Sequence, residues 1–286
     1  MDKAIALVGS SGPLGLFLND YFLLQGWSVR RIGRSGAPGV VIADVRRGPQ
    51  SGVYGDSRAV VYCAWNTRDR SAQEQLAHVN AAAKWARFAS STGRTFLFTS
   101  TVAAGRGTVS SYGRHKAMAE EAICESGGVA LRMGLVVDDA YPFLATMIRN
   151  TTCRHPYLAM ALDLPVFAVS TATVALAIAA EIEEPRHGER IWLAPTEPTS
   201  LGSVVSWGRG WSGRAVPVLR CMAAGSSALV RVGLGGRYLD ALAGLRASGS
   251  ARDQSVLVPH TGPVGPDDWQ RCLIAPAGTV SRRRLN

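Results

Sequence analysis

Residues 4 to 15 read AIALVGSSGPLG: a five-residue apolar run, Ala4 to Val8, then three glycines, Gly9, Gly12 and Gly15. An apolar helical pattern follows through Leu16, Phe17, Tyr21, Phe22 and Leu24 and stops at Gly26. An unbroken apolar run suits a strand buried on both faces. A helix that follows across so short a loop must return the chain, so the next strand lies parallel to the first. The rhythm continues. Strands are predicted at Ser28 to Ile32, Val40 to Ala43, Ala59 to Ala64, Thr95 to Thr99 and Val129 to Arg132, and helices over Ser71 to Ser90 and Tyr112 to Cys124. From about residue 136 the pattern changes. Asp138 to Asn150 reads as a helix, Leu164 to Val169 as a strand, Thr171 to Glu183 as a helix whose alanine-rich face packs on the sheet, and Ile191 to Ala194 as one more strand. An apolar helical stretch near Leu229 to Leu245 precedes a weakly patterned tail from Ala247.

The chain has 286 residues, 47% of them apolar and 18% charged, enough for a large core in one domain or two modest lobes. The apolar runs Ala4 to Val8 and Val174 to Ala180 are too short for a signal core or a membrane span, so a cytoplasmic protein made without an export signal is expected. Five scattered cysteines (Cys63, Cys124, Cys153, Cys221, Cys272) contain no C-x-x-C pair, and the five histidines lack ligand spacing. Free thiols and no metal are expected. The net charge of +10 raises nucleic acid as a partner, but apart from Arg282 to Arg284 the arginines are dispersed, with no stripe of stacking aromatics. Attraction of a small phosphorylated ligand is the better use of such arginines, because their forks match phosphate oxygens in pairs.

Each loop glycine has a role near a phosphate. Gly9 permits the tight turn off the first strand, Gly12 lets the backbone approach a pyrophosphate, and Gly15 lets helix and strand pack closely. The anion would rest on the free amides and positive end of the helix. The end of the second strand separates the two nicotinamide dinucleotides. A carboxylate there suits the ribose hydroxyls of NAD, whereas a 2'-phosphate needs a cation. Gly33 stands at that position, with Arg34 and Ser35 after it, so NADP is expected over NAD. Asp44, after the third strand, is placed to accept from the adenine amino group, or else serves as a turn aspartate.

In YGRHK, Tyr112 and Lys116 are four apart on a helix and share a face. The chain has three lysines, Lys3, Lys84 and Lys116, so an accidental Tyr-x-x-x-Lys is rare. Together with GSSGPLG, IGRS, YCAWN, HVNAAAKWA, FLFTSTVAAG, VALRMGLVV and VSTATVALAI, this segment resembles the extended short-chain dehydrogenase/reductases, over roughly residues 4 to 205. The resemblance implies a doubly wound, mostly parallel Rossmann-type sheet with a smaller C-terminal substrate-binding lobe. Residues 1–135 would form the core, completed by about 164–183, with 136–163 and 184–286 as lobe and tail. It assigns Thr101, with Ser100 as the lesser candidate, the hydroxyl that bonds the reacting oxygen, Tyr112 the proton transfer, and Lys116 the nicotinamide ribose and support of the phenolate. Cofactor contacts are expected from Gly9, Ser11, Gly12, Leu14, Gly15, Arg34, Ser35, Asp44, Ala64, Asn80 and Lys116.

The family's chemistry makes reduction of a keto group by NADPH the leading expectation, on a small carbonyl compound or a sugar nucleotide. Epimerisation of a sugar nucleotide is the alternative, and a non-catalytic dinucleotide sensor the alternative of another class. The Thr101 to Tyr112 gap is short for the sugar-nucleotide enzymes, and Val102 and Ala103 stand where family dehydratases carry an acid. The tail after about Val216 resembles nothing in the family. Asp138, Asp139, Arg149 and Arg154 are candidate substrate contacts. Many relatives pair subunits through the helices that would hold His78 and Tyr112, so a homodimer falls within the expectation.

Overall fold

The computed structural model describes residues 3–34, 36–66, 69, 71–105, 108, 110–137, 164–195 and 197–204. Ser35, the helices expected at 138–150 and 229–245, the substrate candidates Asp138, Asp139, Arg149 and Arg154, and the tail lie outside the described residues.

Strand β1 (Ala4–Val8) leads through the glycine loop into α1 (Pro13–Leu24), and β2 (Ser28–Gly33) and β3 (Val40–Ile42) follow. A single 3-10 turn, Val45–Arg47, comes next, then β4 (Ala59–Tyr62), α2 (Ala72–Ser91), β5 (Thr95–Thr101), α3 (Ser111–Glu125) and β6 (Val129–Met133). Beyond them lie β7 (Leu135–Val137), β8 (Pro165–Val166), β9 (Ala168–Ser170), α4 (Thr171–Glu183), β10 (Arg190–Leu193) and β11 (Thr199–Ser200). The expected strand at 164–169 is thus two short strands, each paired in a separate small sheet, β8 with β11 and β9 with β7.

Seven parallel strands form the central sheet in the order β10-β6-β5-β4-β1-β2-β3. The chain runs outward from β1 through β2 to β3, returns to β4 on β1's other side, and continues outward. This is the doubly wound arrangement, whose ligands lie beyond the carboxyl ends of the strands where the direction of winding reverses. Here that point is the crevice between β1 and β4.

Side chains alternate across the sheet with a period of two. Ile5, Leu7, Val61, Leu97, Val129 and Leu131 join one core with α1 and α4, to which Val174, Ala175, Ala177, Ile178 and Ile182 contribute. Ala6, Val8, Val60, Tyr62, Phe96 and Phe98 join the opposite core, against α2 and α3. Serine caps start three of the helices: Ser71 accepts from the Glu74 amide at 3.3 Å, Ser110 from Gly113 at 3.2 Å and Ser170 from Thr173 at 2.9 Å. Such caps contribute about 1 kcal/mol each. Of α1 to α4, only α1 starts without a side-chain cap, at Gly12. No described helix is long and apolar enough to cross a membrane.

Candidate active site

A cleft of about 340 Å³ opens at the reversal point. Four strand ends supply its walls: Gly9, Ser11, Gly12 and Pro13 after β1, Gly33 and Arg34 at β2, Asp44, Val45 and Arg46 after β3, and Cys63 to Asn66 after β4. Glu74 and His78 on α2 complete it.

The three glycines of the loop differ in what demands them. Gly9 has φ +86°, and a Cβ there would lie 2.7 Å from the Ala64 amide nitrogen, so both conformation and packing exclude a side chain. At Gly15 a Cβ would run into the Gly9 carbonyl and Ser10, which keeps α1 tight against the loop. Gly12 is otherwise: φ is −76°, and a Cβ would make one ordinary contact, 3.5 Å from the Gly9 carbonyl oxygen. Among the described residues, neither φ nor packing requires glycine at 12. The residue lines the cleft at the uncapped start of α1, where first-turn amides have no helical partners. A glycine whose absent side chain matters only to the cleft fits a ligand that touches the backbone.

At the β3 end, Asp44 caps the 3-10 turn through the Arg46 amide at 3.1 Å and pairs with the Arg46 guanidinium at 3.2 Å. Those contacts hold its carboxyl below the usual carboxylate range. Asp44 is therefore a turn aspartate that also lies on the cleft wall. Trp85 fixes this corner from beneath, its ring N-H donating to the Val45 carbonyl at 2.9 Å. Arg46 also reaches Glu74 at 3.8 Å, and Arg34 is exposed on the same rim.

Leu14 is in the core and can offer the cleft only its main chain. Asn80 is exposed and does not line the cleft. A helix advances 100° per residue, so 80 stands about 200° from 78, and the face that meets the cleft carries Glu74 and His78 instead. His78 is 6% exposed, faces Glu74 at 3.3 Å through Nε2, and its Nδ1 has no hydrogen-bond partner. Burial first, and nearby Lys116 and Arg46 after it, lower its pKa against the opposing pull of Glu74.

Tyr112 and Lys116 share one face of α3, as their spacing requires. A Cβ on Gly113 would strike the Ala103 carbonyl, so the first turn of α3 presses directly on the segment that leaves β5. Lys116 is 2% exposed. Its Nζ donates to the Thr99 carbonyl at 2.7 Å and lies 4.2, 4.4 and 5.7 Å from the ring centroids of Trp65, Phe98 and Tyr112. Burial pulls its pKa down to about 7. Ser100 is turned away: its hydroxyl, 3% exposed, donates to the buried Glu120 carboxylate, which Arg132 clasps through two nitrogens at 2.8 and 3.1 Å. That leaves Thr101 the more open hydroxyl, its Oγ1 accepting from the Ala103 amide at 3.2 Å. Cys63 lines the cleft as an inert thiol, pushed up to about 12 by burial.

The structure therefore gathers Gly9, Ser11, Gly12, Arg34, Asp44 and Ala64 around one cleft, while Thr101, Tyr112 and Lys116 do not line it. Trp65 stands where the two groups meet. Trp65, Asn66, Glu74, His78 and Arg46 are cleft residues that motif reading passed over, although the i, i+4 pair Glu74/His78 beside YCAWN carried the signal. No cluster of His, Cys, Asp or Glu suited to a metal occurs among the described residues.

No family model and no curated protein sequence matches the chain. Many solved structures are similar in fold. One is MoeE5 in complex with UDP-glucuronic acid and NAD, 16% identical with a TM-score of 0.60 over 73% of this chain and 82% of that one. Another is a short-chain dehydrogenase/reductase superfamily protein from Agrobacterium tumefaciens with bound NAD, 17% identical, TM-score 0.55, over 75% and 84%. A third is UDP-glucose 4-epimerase from Thermotoga maritima with UDP-glucose, 14% identical, TM-score 0.57, over 73% and 82%. The chain shares the Rossmann-type α/β fold of these epimerase and short-chain dehydrogenase/reductase structures.

Proposed function

We propose that this chain is an NADP-dependent oxidoreductase that reduces a keto group on a nucleotide sugar or similarly small molecule, with Tyr112 as proton donor. The observation that carries the reading is Gly12, a glycine that neither φ nor packing demands, at the uncapped N-terminus of α1 and on the wall of the cleft. The Gly12 amide donates to the Gly9 carbonyl at 3.1 Å, so the neighbouring main-chain amides, including those of Ser11 and Leu14, would hold the pyrophosphate against the bare Gly12 backbone. Arg34, with Arg46 beside it, would meet an adenosine 2'-phosphate, where no carboxylate ends β2. Asp44 would accept from the adenine amino group.

A reduced nicotinamide cofactor, when bound, would supply a hydride to the carbonyl carbon. Tyr112 gives its proton to the carbonyl oxygen, forming the alcohol, and the phenolate regains a proton from water. The Thr101 hydroxyl donates to the same oxygen, where charge builds in the transition state. Lys116, charged, favours the phenolate, and a pKa of about 7 lets it take or release a proton at neutral pH.

A screen of carbonyl substrates for loss of NADPH absorbance tests the reading. Loss matched one to one by alcohol is expected, and Tyr112→Phe should lower the rate by roughly 10²- to 10⁴-fold. Unchanged turnover in that variant would contradict Tyr112 as donor. Epimerisation is the second reading, favoured by the NAD and UDP-sugars in similar structures. It is separated by sugar inversion without net consumption of NADPH. A sensor would bind NADPH and show no difference between Tyr112→Phe and the parent in any assay.

A further inference from the structure

The proposed chemistry gives Trp65 no role, yet its ring lies against Lys116, His78 and Tyr112 together. The ring lies 4.2 Å from the Lys116 ammonium, 5.6 Å from the His78 imidazole at a tilt of 31°, and edge-on to Tyr112 at 6.3 Å. Its N-H donates to Gln75 Oε1 at 2.8 Å, and Gln75 in turn donates to the main chain of Asn66 at 2.9 Å. Trp65 belongs to the cleft wall, whereas Lys116, beneath the ring, is almost wholly buried. On the cleft side are the glycine loop and the Arg34/Arg46 rim. On the other are Lys116 and Tyr112. Among the described residues, the indole stands between a ligand seated on Gly12 and those side chains.

We propose that Trp65 is a movable partition that selects for ligand size: the cleft takes an adenosine phosphate with the ring seated, and the nicotinamide half of a dinucleotide enters only by displacing the ring from Lys116 and His78. The proposal rests on the dinucleotide reading above. What it adds is that one side chain separates a nucleotide from a whole cofactor. The groups that hold the ring are a single indole hydrogen bond, the stacked cation and imidazole, and the rings of Tyr112 and Phe98, and Trp65 is itself half-buried at the margin of the core, so a swing outward gives up contacts at that margin and leaves the core interior in place. Displacement also uncovers His78 Nδ1, which lacks a partner while covered, and gives the buried ammonium access to ligand oxygen.

The test compares two probes on the full chain by calorimetry: NADP+, and 2',5'-ADP, which carries the adenosine half alone. Trp65→Ala should raise the affinity for NADP+ relative to 2',5'-ADP by about tenfold, equivalent to about 1.4 kcal/mol, the size of one desolvated cation–π contact. Trp65→Phe keeps a ring but loses the Gln75 tether, and should give a smaller rise in the same ratio, so the proposal stays testable if the alanine variant fails to fold. In the parent, NADP+ should shift indole emission while 2',5'-ADP should not, and the difference should vanish in Trp65→Phe. An unchanged or lowered ratio in the variants overturns the partition while leaving dinucleotide binding intact. If neither probe binds the parent or the variants, the dinucleotide reading falls and takes the partition with it.

Discussion

Replacing Lys116 by methionine keeps an unbranched stem of similar length and removes a cation from a site that is 2% exposed. Burial takes this lysine from its usual 10.5 to about 7, a difference worth about 5 kcal/mol at 1.36 kcal/mol per pH unit. Between those two values the unfolded chain holds the proton and the folded chain does not, so stability rises with pH. The penalty is absent above about pH 10.5, grows as the pH falls, and is complete below about 7. Against it stands the bond to the Thr99 carbonyl, whose loss costs about 1–3 kcal/mol for a buried acceptor. The variant should therefore be more stable than the parent by about 3 kcal/mol at pH 6.5, a figure that nets the full penalty against that loss. Near pH 10.5 the sign should reverse, because the neutral amine still donates to Thr99. Cys63 and Glu120 face an ammonium in the parent alone, and their opposing pull is already contained in its lowered value. Guanidinium unfolding followed by circular dichroism from pH 6 to 10.5 reads the gap directly. A gap that does not vary with pH, or a variant less stable at pH 6.5, would refute burial of a titrating ammonium.

Glu120→Ala should destabilise the fold by roughly 3–5 kcal/mol, as expected for a buried ion pair stripped of one partner, because it orphans Arg132 and frees Ser100; denaturant unfolding measures it. Arg34→Ala should weaken NADPH binding by about tenfold or more, the range of a lost charge-assisted bond, while NADH binding changes little; parallel titrations check the discrimination.

The strand, glycine loop and helix of residues 4–24 were legible because each local preference there agrees with the tertiary fold, and the i, i+4 spacing alone put Tyr112 beside Lys116. The rotation of α2 about its axis was not. Small and apolar residues occupy most of Val79 to Ala89, so the sequence HVNAAAKWA leaves open which face meets the sheet, and Asn80 stood out as the polar candidate although His78 meets the cleft. The Arg46 and Glu74 contacts depend on a 3-10 turn held by Trp85, a hydrogen bond spanning 40 residues that no local pattern records. Burial of Lys116 beneath Trp65 is likewise a product of three elements meeting. Strand β7 was passed over as a strand because three residues after Gly134 are too few to show a period.

The central claim is that the backbone at Gly12 receives a dinucleotide, and Gly12→Val tests it most directly because the protein's own packing leaves ordinary room for a Cβ there. Calorimetric titration with NADPH should give one saturable site in the parent and a loss of affinity of at least about tenfold in the variant, or about 1.4 kcal/mol, with the fold retained. Equal NADPH binding by a folded Gly12→Val protein, or no binding by the parent, would contradict the account.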